Sequence, residues 1–145
     1  MRILTLLALF GLASFTFAEE KKEDKKEEKK DKTPMPPLGK YVKKGDEFNL
    51  TFEFKKDNVV IFKMSDGTNG CEIETKAKYE KDSLVKCTVE KFEKLGTFPV
   101  EKEKGYEFSL KWKLDGKKLV VTDFEGTDIN DEARKILEGD YELTK

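Results

Sequence analysis

Cys71 and Cys87 are the only cysteines of the chain, and they close the two ends of the stretch CEIETKAKYEKDSLVKC. Two sulfurs at that spacing have four uses: a disulfide, half of a metal site, a reactive thiol, or two small pieces of core. The chain has no histidine. That absence removes the commonest zinc ligand, the usual general base, and both the Ser-His and Cys-His nucleophile pairs. Catalysis would have to rest on carboxylates, lysine or tyrosine. Paired carboxylates can run glycoside hydrolysis, but Glu53, Glu72, Glu74 and Glu107 fall on the polar side of alternating strands, among lysines. That pattern reads as a solvated, ion-paired surface. Asp66–Gly70 and Asp128–Glu132 are too loosely spaced for a calcium loop, since the sixth position counted from Asp128 is Ala133 and not glycine. The sequence therefore points to no catalytic residue, no metal and no cofactor, and we expect the protein not to be an enzyme. Asn49-Leu50-Thr51 is a glycosylation sequon, placed mid-strand, where chance occurrence is the default.

The other residues with a binding use are aromatic. Phe52, Phe62, Tyr79, Phe108 and Trp112 recur on the apolar sides of successive strands. They could line a pocket for an apolar small molecule, or they could simply fill a core. A barrel of eight strands is just wide enough for side chains to fill it, and a domain of roughly a hundred residues needs most of its large apolar groups for stability. Nucleic acid is excluded as a partner: net charge is −1, and Arg2 and Arg134 are the only arginines, whereas phosphate and guanine recognition lean on that side chain.

The elements that must position these residues are strands. Phe48–Phe54 alternates with period two, and a three-residue loop, Lys56–Asn58, sets Val60, Phe62 and Met64 opposite Phe54, Phe52 and Leu50. Cys71, Ile73, Thr75, Ala77 and Tyr79 share the next inner face. After the loop Lys81–Ser83 come Val85, Cys87 and Val89. This register puts Ala77 opposite Cys87 and leaves Cys71 roughly 20 Å away at ~3.3 Å per residue. A disulfide needs Cα atoms within about 7 Å, so we expect two buried thiols. Pro99 and Gly105 bracket a polar connection to Tyr106–Leu114, whose Tyr106, Phe108, Leu110, Trp112 and Leu114 face one way. Asp115-Gly116, read as the hairpin loop, sets Leu119 and Val121 opposite Trp112 and Leu110. One helix is expected within Thr127–Gly139, capped by Asp128 or Asn130, with Ile129, Ala133, Ile136 and Leu137 on its apolar face. Asp140–Leu143 is a closing strand. Seven or eight sequential antiparallel strands with one apolar face each predict an all-β, small up-and-down barrel. A two-sheet β-sandwich is the alternative.

Upstream, Met1–Ala18 has one basic residue, an apolar run and small residues before Ala18. This predicts a signal peptide cleaved after Ala18, and a secreted or periplasmic protein with no membrane span in the mature chain. Residues 19–39 form a spacer: fourteen charged residues, seven of each sign, then the proline-rich TPMPPLG. The former cannot join a core, and the latter is held extended. The β domain is expected at 40–145.

Leu38-Gly39-Lys40-Tyr41 opens that domain and Glu138-Gly139-Asp140-Tyr141 closes it. A Gly-x-aromatic entry, sequential hairpins, a late helix and a closing strand together resemble lipocalin-like domains. More narrowly, the chain is similar to small secreted lipocalin-like domains of unknown function that occur as paralogous sets in planctomycete-type bacteria. The resemblance covers Gly39–Leu143 and implies a fold, not a function. Tyr41 stands where true lipocalins carry tryptophan, and the chain is shorter, which argues against a roomy cavity. Two expectations for function follow. One is a secreted non-catalytic binding module for an apolar small molecule. The other is an extracytoplasmic structural or protein-interaction domain, with an envelope protein as partner and a filled core.

Overall fold

A computed structural model describes residues 33–145; the signal peptide and the charged run 19–32 assigned above lie outside the described residues. Eight antiparallel strands follow in order, β1 Gly39–Lys44, β2 Asn49–Phe54, β3 Val59–Ser65, β4 Gly70–Glu80, β5 Leu84–Leu95, β6 Glu107–Asp115, β7 Lys118–Gly126 and β8 Gly139–Thr144. Each pairs with its neighbour, and β1 pairs with β8, so the sheet closes into an up-and-down barrel and the sandwich alternative falls. Among the described residues one α-helix, α1 (Asp131–Leu137), precedes β8.

Alternation and loop length determine the register of two hairpins. Phe52 faces Phe62 and Phe54 faces Val60 across β2–β3; Ala77 faces Cys87 and Tyr79 faces Val85 across β4–β5. Both loops have three residues, and in each the last two adopt left-handed backbone: Asp57 and Asn58, then Asp82 and Ser83. Asx residues tolerate that region because their short polar side chains bond locally.

The β6–β7 hairpin differs from its predicted register by two residues. Asp115 pairs with Lys118, so the loop is Gly116-Lys117, and Leu119 and Val121 face Leu114 and Trp112. Gly116 has φ +61 while Lys117 is not left-handed, the sign pattern of a hairpin turn that places glycine first. A shift of two keeps every side chain on its face. Leu114 nevertheless ends up 44% exposed, because it sits at the barrel rim.

Two bulges shape the opposite end. On β5, Glu90 is the extra residue, since Glu74 pairs with Lys91 but Thr75 with Val89. On β7, Asp123 has φ 49 and breaks the ladder opposite Leu110. The Asp123 bulge reverses the alternation, so Val121 and Phe124 both point inward. α1 and its C-cap residue fasten this kink: the Glu138 carboxylate accepts from Phe124 N–H (2.8 Å) and Arg134 Nε donates to Phe124 C=O (3.1 Å). Both backbone groups that the bulge frees are thereby paired.

The core is aromatic and well filled at mid-barrel. Phe52 is fully buried, with ring centroids 4.9 Å from Phe62, 5.1 Å from Tyr141 and 6.2 Å from Phe54. The proline-rich segment contributes as well: Pro36 is buried and Tyr41 Oη donates to Pro37 C=O (3.2 Å), so packing begins ahead of the predicted boundary at Lys40.

Candidate functional site

The two barrel ends are built differently. One end carries the short loops Lys56–Asn58, Lys81–Ser83 and Gly116-Lys117. The other carries the Gly45–Phe48 and Asp66–Asn69 turns, the long connection Gly96–Tyr106, and α1. At this second end β5 outruns its partner. β6 pairs with β5 only from Leu84 to Thr88, and Val89 still bonds Gly105 and Tyr106. From Glu90 to Leu95 β5 keeps only β4 beside it. The chain then crosses the mouth and inserts Phe98, which is 6% exposed and meets Phe48 edge-on at 6.1 Å. The connection is moored at the edge by Lys94–Glu101 (3.0 Å) and Lys104–Glu90 (3.3 Å). At its start, Thr97 N–H and Oγ1 bond Asn69 Oδ1 (2.9 and 3.2 Å). Asn69 lies in a turn held by the Asp66 carboxylate, whose Oδ1 accepts from the N–H groups of Thr68 and Asn69 and so lies below the usual aspartate range.

The outcome is a partly open cavity of about 210 Å³. Its walls come from β3 and β4 (Phe62, Met64, Cys71, Ile73), from β5 and the connection (Phe92, Phe98, Val100), from β6 and β7 (Phe108, Phe124), and from α1 and its approach (Ile129, Ala133, Leu137). Three polar residues complete it. Lys102 and Asp128 form an ion pair, with Lys102 mostly shielded and Asp128 58% exposed. Lys102 Nζ also lies 4.4 Å from the Tyr106 ring centroid, a cation–π contact. The Tyr106 hydroxyl is buried and has no hydrogen-bond partner among the described residues.

Of the five aromatic residues singled out by alternation, Phe62 and Phe108 line this cavity, and Phe52, Tyr79 and Trp112 do not. Phe52 belongs to the filled mid-barrel. Tyr79 and Trp112 sit toward the end with short loops, near the Glu80/Leu84 and Asp115/Lys118 turns. Trp112 Nε1 is also buried without a partner among the described residues. Alternation does not mark Phe98 or Phe124: the first lies in an otherwise polar connection and the second beyond a bulge. Nothing in the local pattern marks Phe98 as buried. Ile136, predicted to face inward together with Leu137, is 46% exposed; of the helix residues Leu137 alone is buried. Its cap is Asn130, whose Oδ1 accepts from Ala133 N–H (2.8 Å).

Both cysteines are buried, free thiols. Cys71 lines the cavity and faces Met64; burial raises it, partly offset by a hydrogen bond with the Met64 backbone. Cys87 lies deeper, and burial pushes its thiol up to about 12 against a smaller opposing pull from the Thr75 hydroxyl. Neither is set up as a nucleophile, which requires an electropositive, accessible setting. Among the described residues no cluster of three or more His, Cys, Asp or Glu side chains could hold a metal ion, and no helix is long and apolar enough to cross a membrane. Comparison of the chain with protein-family models, curated proteins and solved structures finds no match in any of the three.

Proposed function

We propose that the protein is an exported, non-catalytic binding module that holds one small apolar molecule in the cavity beneath Phe98 and α1. The observation that carries this reading is local. The barrel is packed solid around Phe52, yet close to the mouth apolar side chains from five strands, the connection and the helix surround unfilled space. Its size limits the occupant. Pockets for drug-sized ligands run from about 300 Å³, whereas an engineered apolar cavity of about 150 Å³ takes benzene. A cavity of about 210 Å³ therefore suits one ring with a short substituent, or an aliphatic chain of similar bulk. The signal-peptide pattern of Met1–Ala18 supports export, and the proline-rich segment after the charged run supports a spacer ahead of the barrel.

The test is a titration with toluene followed by amide and methyl chemical shifts. The expected shifts fall on Ile73, Ala133 and Leu137, and Ala133→Phe, which fills the space from α1, abolishes them. Shifts spread evenly over the surface, or unaffected by Ala133→Phe, would sink the reading.

A further inference from the structure

Resting on that reading, we infer that the connection Gly96–Gly105 is a hinged lid over the cavity. Lys102 latches it to Asp128, and an occupant enters and leaves when the segment lifts.

The backbone of the connection is held loosely. It belongs to no ladder, and among the described residues the N–H groups from Phe98 to Lys104 have no backbone partner. Both ends are glycines with left-handed backbone, Gly96 at φ +65 and Gly105 at φ +90. Glycine takes either sign of φ at little steric cost. Both ends can therefore change backbone region while the barrel stays as it is, which is what a hinge must do. A Cβ on Gly105 would meet nothing within 4 Å, so the backbone, and not crowding, favours glycine there.

Side chains do the holding. Phe98 is the one buried side chain of the connection. Lys94–Glu101 and Lys104–Glu90 tie it back to β5 at exposed positions, where an ion pair contributes little. Lys102–Asp128 is different, because it crosses the mouth to the approach to α1 and its lysine is mostly shielded. An outer groove lined by Glu101–Tyr106 and Asp128 shares Lys102, Tyr106 and Asp128 with the cavity lining. The passage between groove and cavity therefore runs past this ion pair. Parting Lys102 from Asp128 and withdrawing Phe98 from Phe48 uncovers the cavity without breaking any strand pairing.

The two cysteines read the motion. Cys71 lines the cavity, whereas Cys87 sits between β4 and β6, opposite Ala77 and Phe108. The experiment alkylates the full chain with iodoacetamide at a series of low urea concentrations and follows each cysteine by mass spectrometry. Cys71 should react faster than Cys87 and at a rate nearly independent of urea, as a local opening requires. Cys87 should wait for global unfolding and speed up with urea. Asp128→Asn should accelerate Cys71 by about two- to fivefold, the worth of one such ion pair. Toluene at ten times the dissociation constant found by titration should slow Cys71 about tenfold. Equal rates at both cysteines with one shared urea dependence overturn the lid. So does a Cys71 rate equal to that of the unfolded chain, which marks a mouth that never closes. No acceleration in Asp128→Asn overturns the latch. A fast, urea-independent Cys71 that toluene does not protect keeps the lid and overturns the pocket reading instead. The comparison of the two cysteines in the native protein decides the lid even if the variant does not fold.

Discussion

Cys87 offers the most quantitative check on the interior. Its thiol is shifted from an ordinary value of 9.0 to about 12 by burial. The neutral form is therefore the one the fold accommodates. Its contribution is complete below about pH 9, where both folded and unfolded thiols are protonated. Above that, the unfolded chain ionises while the folded chain does not, so stability is lost as pH rises toward 12. The slope approaches about 1.4 kcal/mol per pH unit, which amounts to about 2 kcal/mol lost by about pH 10.5. Cys87→Ala removes the titration and one buried heavy atom, at a cost of about 1 kcal/mol that does not depend on pH. Native protein should therefore lead the variant by about 1 kcal/mol near neutrality and trail it by about as much at about pH 10.5. Urea unfolding of both proteins at those two conditions, with reductant present and the denaturant slopes compared, gives the answer. Burial of Tyr41 and Tyr141, which raises both, adds its own alkaline loss, but it is common to both proteins and cancels in the difference; Tyr79 is raised by burial and, to a smaller extent, by Cys87, and only the burial part is shared by the two proteins. A gap that stays constant with pH would refute the reasoning and mean that the thiolate is solvated in the folded barrel.

Three further outcomes are expected. Phe98→Ala removes the aromatic plug supplied by the connection and should cost about 3 kcal/mol in urea unfolding, the low end of the buried-aromatic range because the mouth opens to water. Gly126→Ala would set a Cβ 2.6 Å from Tyr106 Oη and 2.9 Å from Ile129 Cγ1, and should destabilise by about 1–3 kcal/mol through overpacking. Combined with Tyr106→Phe, which deletes the nearest atom, its cost should shrink, and a strictly additive double mutant would contradict the contact. Glu138→Ala strands the Phe124 N–H at the bulge and should cost about 1–3 kcal/mol; hydrogen exchange at that amide should accelerate selectively, and unchanged protection would exclude the carboxylate as its partner.

The fold was legible where loop length and alternation agreed. Three-residue loops at Lys56–Asn58 and Lys81–Ser83, flanked by period-two runs, leave one register that turns Phe52, Phe54, Val60, Phe62, Ala77, Val85 and Cys87 inward, and that is the register of the barrel. At Asp115-Gly116 the same logic slipped by two, since a register shifted by an even number buries the same faces and alternation cannot distinguish them. Glycine's left-handed backbone made the choice, by requiring the first loop position. Phe124 was illegible because a left-handed aspartate before it inverts the inside–outside order. The site was legible only in part. Phe62 and Phe108 carry the strand signature, but the space between them arises from β5 outrunning β6 and from the chain that crosses the mouth. Neither feature is local in sequence, and Tyr106 stood among five alternating apolar positions with nothing to mark its hydroxyl as unpaired.

The closing seam has a consequence for how the barrel is made. β1 and β8 share three ladder positions, and Thr144 Oγ1 reaches Lys40 C=O across 104 residues of chain. Every other ladder joins neighbours in sequence and can zip as soon as a hairpin exists. The last contact is thus the one with the largest loop-closure entropy, and non-local pairing of this kind slows folding. Until the final six-residue strand has been synthesised, β1 and β7 each present an open edge able to recruit another chain. A molecule truncated before Gly139 would carry seven strands with two open edges and be an aggregation seed, so assembly of the barrel depends on β8 to a degree that its short ladders do not suggest.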